Sequence, residues 1–427
     1  MTVRADEPAR RAVDRTVDAV WRIESPRLIA GLTRVTRDLG LAEELAQDAL
    51  VAALEQWPVD GVPRNPGAWL MTTARRRAID QIRRNDVFAR KLSLLGHELE
   101  IAQDSAVFEE PAADPEDMGD DLLRLVFVAC HPVLTREARL ALTLRLLGGL
   151  TTDEVARAFL VPESTVAQRI VRAKRTLAKA KVPFEVPYGP ALTERLASVL
   201  EVVYLIFNEG YSATAGDDWM RPALCEDAVR LARVLAGLLP GEPEVHGLVA
   251  LLELQSSRAP VRSGPTPVLL LDQDRTRWDH LLIRRGFTAL ARADATARAR
   301  GLAPGPYALQ AAIAACHARA LTPEETDWLA IAALYEALAR RTPSPVVELN
   351  RAVALGMAHS PEAGLALADA LAESGALEGY HLLPAVRGDL LARLGRHAAA
   401  RAEFRRAAAL TRNGAERSLL LRRAAEA

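Results

Sequence analysis

Apolar residues recur three and four positions apart along almost the whole chain, which is the period of a helix with one buried face. Runs of β-branched residues are short, and alanine, leucine and arginine dominate, so the composition favours helix at nearly every position. The expected fold is all-α. At 427 residues the chain is too long for one ordinary domain and suggests about three, and with half of it apolar each part can bury a core.

Proline clusters and shifts in charge mark the divisions. Residues 13–91 read as a helical segment with a basic end, and 92–120 as a linker. Its acidic stretch, Glu98 to Asp121, has ten acidic residues and no lysine or arginine, and contains Pro111 and Pro115, so it is expected to be extended and poorly ordered. Residues 121–182 form a compact helical unit that again ends basic. Beyond Pro183, Pro187 and Pro190 an alanine- and leucine-rich array is divided into a helical extension, 188–290, and a repeat region, 291–427. In the latter, Ala352, Leu355, Gly364, Ala368 and Leu371 recur 36 positions later as Gly388, Leu391, Ala400, Phe404 and Ala407. Small residues where two helices cross, at a period near 34, resemble a tetratricopeptide (TPR) array. A generic alanine-rich bundle is the alternative, and Tyr307–Ala320 with Asp327–Arg340 would be a degenerate upstream pair.

The net charge of −1 excludes no partner, because segregated charges cancel in the total. Cys130, Cys225 and Cys316 are far apart and lack metal-ligand spacing, so no metal site, disulfide framework or cofactor is expected. Cys130 and His131 read as a helix terminus beside Pro132. Asn208, Glu209, Asp272, Asp274 and Arg277 read as caps and inter-helix pairs. Met1 to Arg15 is charged and lacks the apolar run of a signal peptide, and no stretch approaches a membrane span. A cytoplasmic protein without a membrane partner is expected. No phosphate loop, nucleophile elbow or metal motif suggests an enzyme, and no catalytic residue is assigned.

Two basic helices carry the functional reading. In the first, AWLMTTARRRAIDQIRR, Trp69, Ala74 and Ile79 fall at apolar positions while Arg75, Arg76, Arg77, Arg83 and Arg84 cover much of the rest. Arginines of this kind bind phosphates and stack on unpaired bases. A proline-rich loop precedes them, with Asn65 placed to cap the helix. The helix before that, Ala42 to Trp57, carries Glu43, Glu44 and Asp48, so two neighbouring helices of opposite charge call for two different partners. The second basic helix lies in TTDEVARAFLVPESTVAQRIVRAKRTL, Thr151 to Leu177. Thr151 or Thr152 caps a short helix, Leu160 to Pro162 turn, and Glu163 opens a second helix buried through Val166, Ile170 and Leu177. Ser164, Thr165, Gln168, Arg169, Arg172, Lys174 and Arg175 are left for solvent or DNA. This is a helix-turn-helix pattern suited to the major groove.

These residues resemble the extracytoplasmic-function (ECF) RNA polymerase sigma factors, and the group among them with a TPR-like C-terminal extension. Glu44, Leu45, Ala46, Gln47 and Asp48 stand where region 2 has its DLVQE-like core, which implies that Glu44, Leu45, Gln47 and Asp48 dock on the clamp coiled coil of core RNA polymerase. The NPxAWL start and ARxxAxD pattern, Asn65–Leu70 and Ala74–Asp80, imply capture of −10 promoter bases by Asn65, Trp69 and the five arginines. His131 to Ala156 with the following helix-turn-helix resembles region 4, implying −35 reading and contact with the polymerase flap. Ser164 and Ala167 depart from the common glycine and lysine, which leaves the −35 sequence open. The strings VYLIFNEGYSAT ending at Thr214, DQDRTRWD (Asp272–Asp279), DWLAIAALYEAL (Asp327–Leu338) and SPVVELNRAVAL (Ser344–Leu355) resemble the extension, which implies a regulatory role and a protein partner for it. The linker is implied to thread the polymerase cleft, with a solvated spacer as the alternative. The expected function is promoter-directed initiation and DNA melting; the competing reading is a helix-turn-helix repressor or activator with a TPR-like sensor.

Overall fold

The computed structural model describes residues 7–95, 115–213, 218–262 and 267–427, and every element among them is helical. The chain forms two compact units, one ending at Val202 and one beginning at Val203. The first holds α1 (Glu7–Thr36), α2 (Leu39–Asp60), α3 (Pro66–Leu95), α4 (Pro115–Ala129), α5 (Arg136–Leu146), α6 (Thr152–Phe159), α7 (Glu163–Lys179) and the start of α8 (Pro190–Tyr211).

α1, α2 and α3 pack on one another. Leu28, Ile29 and Leu32 of α1, Leu45, Ala46, Ala49, Ala53 and Trp57 of α2, and Leu70, Ala74 and Ala78 of α3 are buried. Those three α3 residues are four apart, so they stack on one face. Ile79, expected among the apolar positions, is 37% exposed. It lies one step, about 100°, beyond Ala78 and therefore off the buried stripe. Trp69 is half-buried, edge-on to the buried Trp57 at 5.5 Å between ring centroids.

The expected linker is shortened at both ends. Residues 92–95 continue α3, and Pro115, expected inside an extended stretch, begins α4, because a proline at the first helical position gives up no intrahelical bond and has its φ already set. Residues 96–114 lie outside the described residues. The unit also runs past Pro183, Pro187 and Pro190, because early α8 is tied to α4 and the turn after it: Arg195 donates to Phe127 O and Ser198 to Cys130 O. Cys130 is buried, which pushes its thiol up to about 11 against the opposing hydrogen bond with Thr143, and His131 Nδ1 accepts from Val133 N in a turn.

The second unit continues with α9 (Pro222–Leu238), α10 (Pro243–Ser256), α11 (Ala259–Arg262), two 3-10 turns (Leu270–Asp272 and Arg275–Arg277), α12 (His280–Ala299), α13 (Pro306–Arg319) and α14 (Trp328–Arg341). α10 is buried almost all round, packing against α9, α12 and α13, and Gly247 lets Ala308 of α13 approach where a Cβ would meet backbone at 2.7 Å. Glu209 pairs with Arg221, and Asp274 caps the second 3-10 turn by accepting from Thr276 N. Arg275 is buried, and donates to His317 O, Ala320 O and Thr326 Oγ1.

The repeat becomes two helical hairpins, α15 (Pro345–Ala358) with α16 (Pro361–Glu373) and α17 (Leu382–Arg393) with α18 (His397–Leu410), closed by α19 (Gly414–Glu426). In the first hairpin a Cβ on Gly364 would sit 2.5 Å from Ala352 O. In the second, Gly388 occupies the Ala352 position and makes room for Phe404, which replaces Ala368; a Cβ there would meet the ring at 2.9 Å. One hairpin closes small on small and the other glycine on aromatic.

Candidate nucleic-acid and polymerase interface

The helix-turn-helix is built from local chemistry. Thr151 Oγ1 accepts from Glu154 N at 3.1 Å while Glu154 accepts from Thr151 N at 2.8 Å, a reciprocal capping box that fixes the start of α6. α6 ends at Leu160 in a left-handed conformation (φ 51°), which turns the chain sharply into Pro162 and α7. Val166, Ile170, Ala173 and Leu177 bury α7. Ser164, Gln168, Arg172 and Arg175 are exposed, and Thr165 and Arg169 half-buried. Positions 164, 168, 172 and 175 follow one another at four, four and three, so they form one ridge of about a groove's width. Arg169, Arg172 and Arg175 make no ion pair among the described residues, leaving their guanidinium groups open to an external phosphate or base edge.

Lys174 departs from this ridge. Its Nζ pairs with Glu43 of α2, to which Arg145 of α5 also donates through Nε at 2.8 Å. Glu43 is 5% exposed. Burial raises its pKa, and the charges and hydrogen bonds of Lys174 and Arg145 outweigh that and hold the carboxyl below its usual range. Two further pairs join the same helical groups, Arg34 to the buried Asp121 at 3.2 Å and the more exposed Arg22 to Glu154 at 3.0 Å. Gly149 (φ 73°) abuts α1, where a Cβ would lie 3.2 Å from Arg22 Cα.

On α2 the acidic residues therefore divide. Glu43 faces α5 and α7, and Gln47 turns toward it, donating to Glu43 Oε1 at 3.0 Å. Leu45 is buried inside the α1–α3 core, so it shapes the helix from within and offers no side chain to a partner. Glu44 and Asp48 remain exposed, and Val51 (51% exposed) and Glu55 continue their stripe at spacings of three and four. Val51 and Glu55 belong to the same surface although the sequence reading stopped at Asp48; the i+7 and i+11 positions were the signal. Asp48 also lies 3.6 Å from Arg77 of α3.

The remaining region 2 candidates spread along α3. Asn65 Oδ1 accepts from Ala68 N at 3.1 Å and starts the helix. Arg76 and Arg83 are exposed, Arg75 and Arg77 half-buried, and the side chain of Arg84 lies outside the described residues. The end of α2 and the loop after it expose Val59 and Val62, with Gly61 at φ 83°.

Comparison with known proteins bears on both halves of this surface. Residues 21–87 match the Sigma-70 region 2 family and residues 124–177 the Sigma-70 region 4 family. The ECF RNA polymerase sigma factor SigK of Mycobacterium ulcerans is 32% identical over 155 residues, 35% of this chain and 78% of its own length. The chain belongs to the ECF RNA polymerase sigma factor family. SigK of Mycobacterium tuberculosis strain H37Rv is 31% identical over 158 residues with the same coverage. These matches cover about a third of the present chain. Residues 195–294 match a family of unknown function, DUF6596. A full-length likeness does exist: the uncharacterized protein R00370 of Rhizobium meliloti is 47% identical over 396 residues, 92% of this chain and 91% of its own length. No solved structure matches. Among the described residues no helix is long and apolar enough to cross a membrane, and no group of three or more histidine, cysteine or carboxylate side chains is arranged to hold a metal ion.

Proposed function

We propose that this ECF sigma factor docks on core RNA polymerase through the acidic stripe of α2, reads the −35 element with α7 and engages −10 bases with the loop and arginines of α3. The observation that carries the reading is the pairing, in one compact unit, of an exposed acidic stripe (Glu44, Asp48) with an exposed ridge on α7 whose arginines make no ion pair among the described residues. A helix-turn-helix repressor would need the ridge and have no use for the stripe.

In this reading the compact arrangement is a resting state. Promoter elements about 18 base pairs apart span roughly 60 Å of duplex, whereas Lys174 of α7 is in contact with Glu43 of α2. Promoter binding then requires α5 and α7 to leave α2, freeing Lys174 for phosphate and leaving the connector between α3 and α4 to span the gap. The extension beyond α8 regulates the factor, through a protein partner on its TPR-like hairpins; the full-length likeness to R00370 supports treating sigma modules and extension as one working unit.

The test is holoenzyme assembly. Glu44→Lys reverses charge on an exposed position and is expected to weaken binding of the full chain to purified core polymerase at least tenfold, while binding to −35 duplex DNA stays within twofold. Normal assembly by this variant would remove the docking assignment.

A further inference from the structure

The segment of unknown function contains an open cleft of about 540 Å³ between α9, α10 and α12, well away in sequence from both DNA-facing helices. Its walls are strongly basic. Arg233 enters from α9, Arg284, Arg285 and Arg292 from α12, and Glu253 and His246 from the buried α10. Four arginines thus face one carboxylate.

That carboxylate accounts for one arginine only. Glu253 is 3% exposed, and Arg233 Nε and Nη2 each lie 2.8 Å from its Oε1, so this pair belongs to the fold. Among the described residues Arg284 and Arg292 form no ion pair, and Arg285 lies in the field of Glu253 without pairing to it. The contrast with other exposed arginines of the chain is informative. Arg157, Arg340 and Arg393 each pair with an acid four residues earlier on their own helix. On α12 the residue four before Arg292 is Thr288, itself in the cleft, and the residue four before Arg284 is His280. These cleft arginines therefore have no acid at the preceding turn of their own helix to compensate them, and an anion in the cleft would do so.

The dimensions suit a small ligand. Positions 284, 288 and 292 share one face, and eight residues rise about 12 Å, enough for two or more phosphoryl groups held side by side. Ala236, Gly237 and Ala289 keep the opening wide, and a Cβ on Gly237 would meet nothing within 4 Å. The volume falls within the range of roughly 300–1,000 Å³ typical of small-molecule sites, and planar guanidinium groups bind phosphate oxygens in pairs. We propose that this cleft binds a small molecule carrying two or more phosphate groups, placing a ligand site in the extension that is separate from promoter and polymerase contacts.

Titration calorimetry of the full chain with inorganic pyrophosphate at constant ionic strength tests this. One saturable site is expected, weakened at least tenfold by the double variant Arg284→Ala/Arg292→Ala and changed less than twofold by Arg298→Ala, an exposed α12 residue outside the cleft. Circular dichroism checks that the variants keep their helices; should the double variant lose them, Arg284→Gln alone is measured, with at least threefold weakening expected. The absence of saturable binding, or an affinity untouched by the cleft variants, would overturn the proposal, the latter moving the bound anion to the DNA-facing arginines. Tighter binding of a hexaglutamate peptide than of pyrophosphate would also overturn it, in favour of a surface for an acidic protein.

Discussion

Replacing Glu43 by glutamine keeps the shape of the side chain and removes the one charge that faces both Arg145 and Lys174. At an effective dielectric of about 20, a contact pair of this length is worth about 4–5 kcal/mol before desolvation. Burying the carboxylate cancels much of that, and the two cations, 18% and 23% exposed, regain part of their hydration once it is gone. The expected net loss is about 2–3 kcal/mol from the packing of α2 against α5 and α7. Urea denaturation followed by circular dichroism reads it, and a double-mutant cycle with Lys174→Met isolates the pair, with a coupling of about 1 kcal/mol or more expected. pH supplies an independent check. The folded-state pKa of Glu43 is lowered, so its contribution is fully present above the unfolded value of 4.5 and is lost as the pH falls through the lower folded value. The native protein should lose this increment on acidification and Glu43→Gln should not. If that contact holds the proposed resting state, the variant should also bind −35 duplex more tightly. A coupling below about 0.3 kcal/mol, within the usual error of additivity, together with unchanged DNA affinity, would refute the clasp.

Arg169→Ala is expected to weaken −35 binding by about 1–3 kcal/mol and relax preference at one base position, measured by competition among duplexes. Arg175→Ala, at the outer end of the ridge, should instead lower affinity uniformly and reduce the slope of binding against salt by about 1. Gly364→Ala places a methyl 2.5 Å from a backbone oxygen of α15, and the hairpin must open to admit it; thermal unfolding should show a loss of about 1–3 kcal/mol.

What could be read from the sequence follows the range of the forces involved. The helix-turn-helix was legible nearly residue by residue, because its cap, turn and buried stripe are set within a few positions: Thr151, Leu160 to Pro162, and Val166, Ile170 and Leu177. The TPR-like hairpins were legible for the same reason, through small residues repeated at a fixed offset. Glu43 was grouped with Glu44 and Asp48 as one acidic face, and its separation from them depends on Arg145 and Lys174, 102 and 131 positions away, which no local pattern encodes. Leu45 was placed on the docking surface by the resemblance of residues 44–48 to the family's DLVQE-like core, although its own apolar side chain is buried. The α12 arginines do not stand out in the sequence because alanine-rich helices in this chain carry arginine everywhere; what sets them apart in three dimensions is that the one acid in the cleft, Glu253, pairs with Arg233.

Transcription by a reconstituted holoenzyme tests the central reading most directly. Purified core polymerase, a promoter library and the full chain are expected to give run-off transcripts from a discrete subset of promoters, lost when Glu44→Lys replaces the native protein. Binding to duplex DNA with no transcript from any promoter would contradict it and favour a helix-turn-helix regulator that acts without polymerase docking.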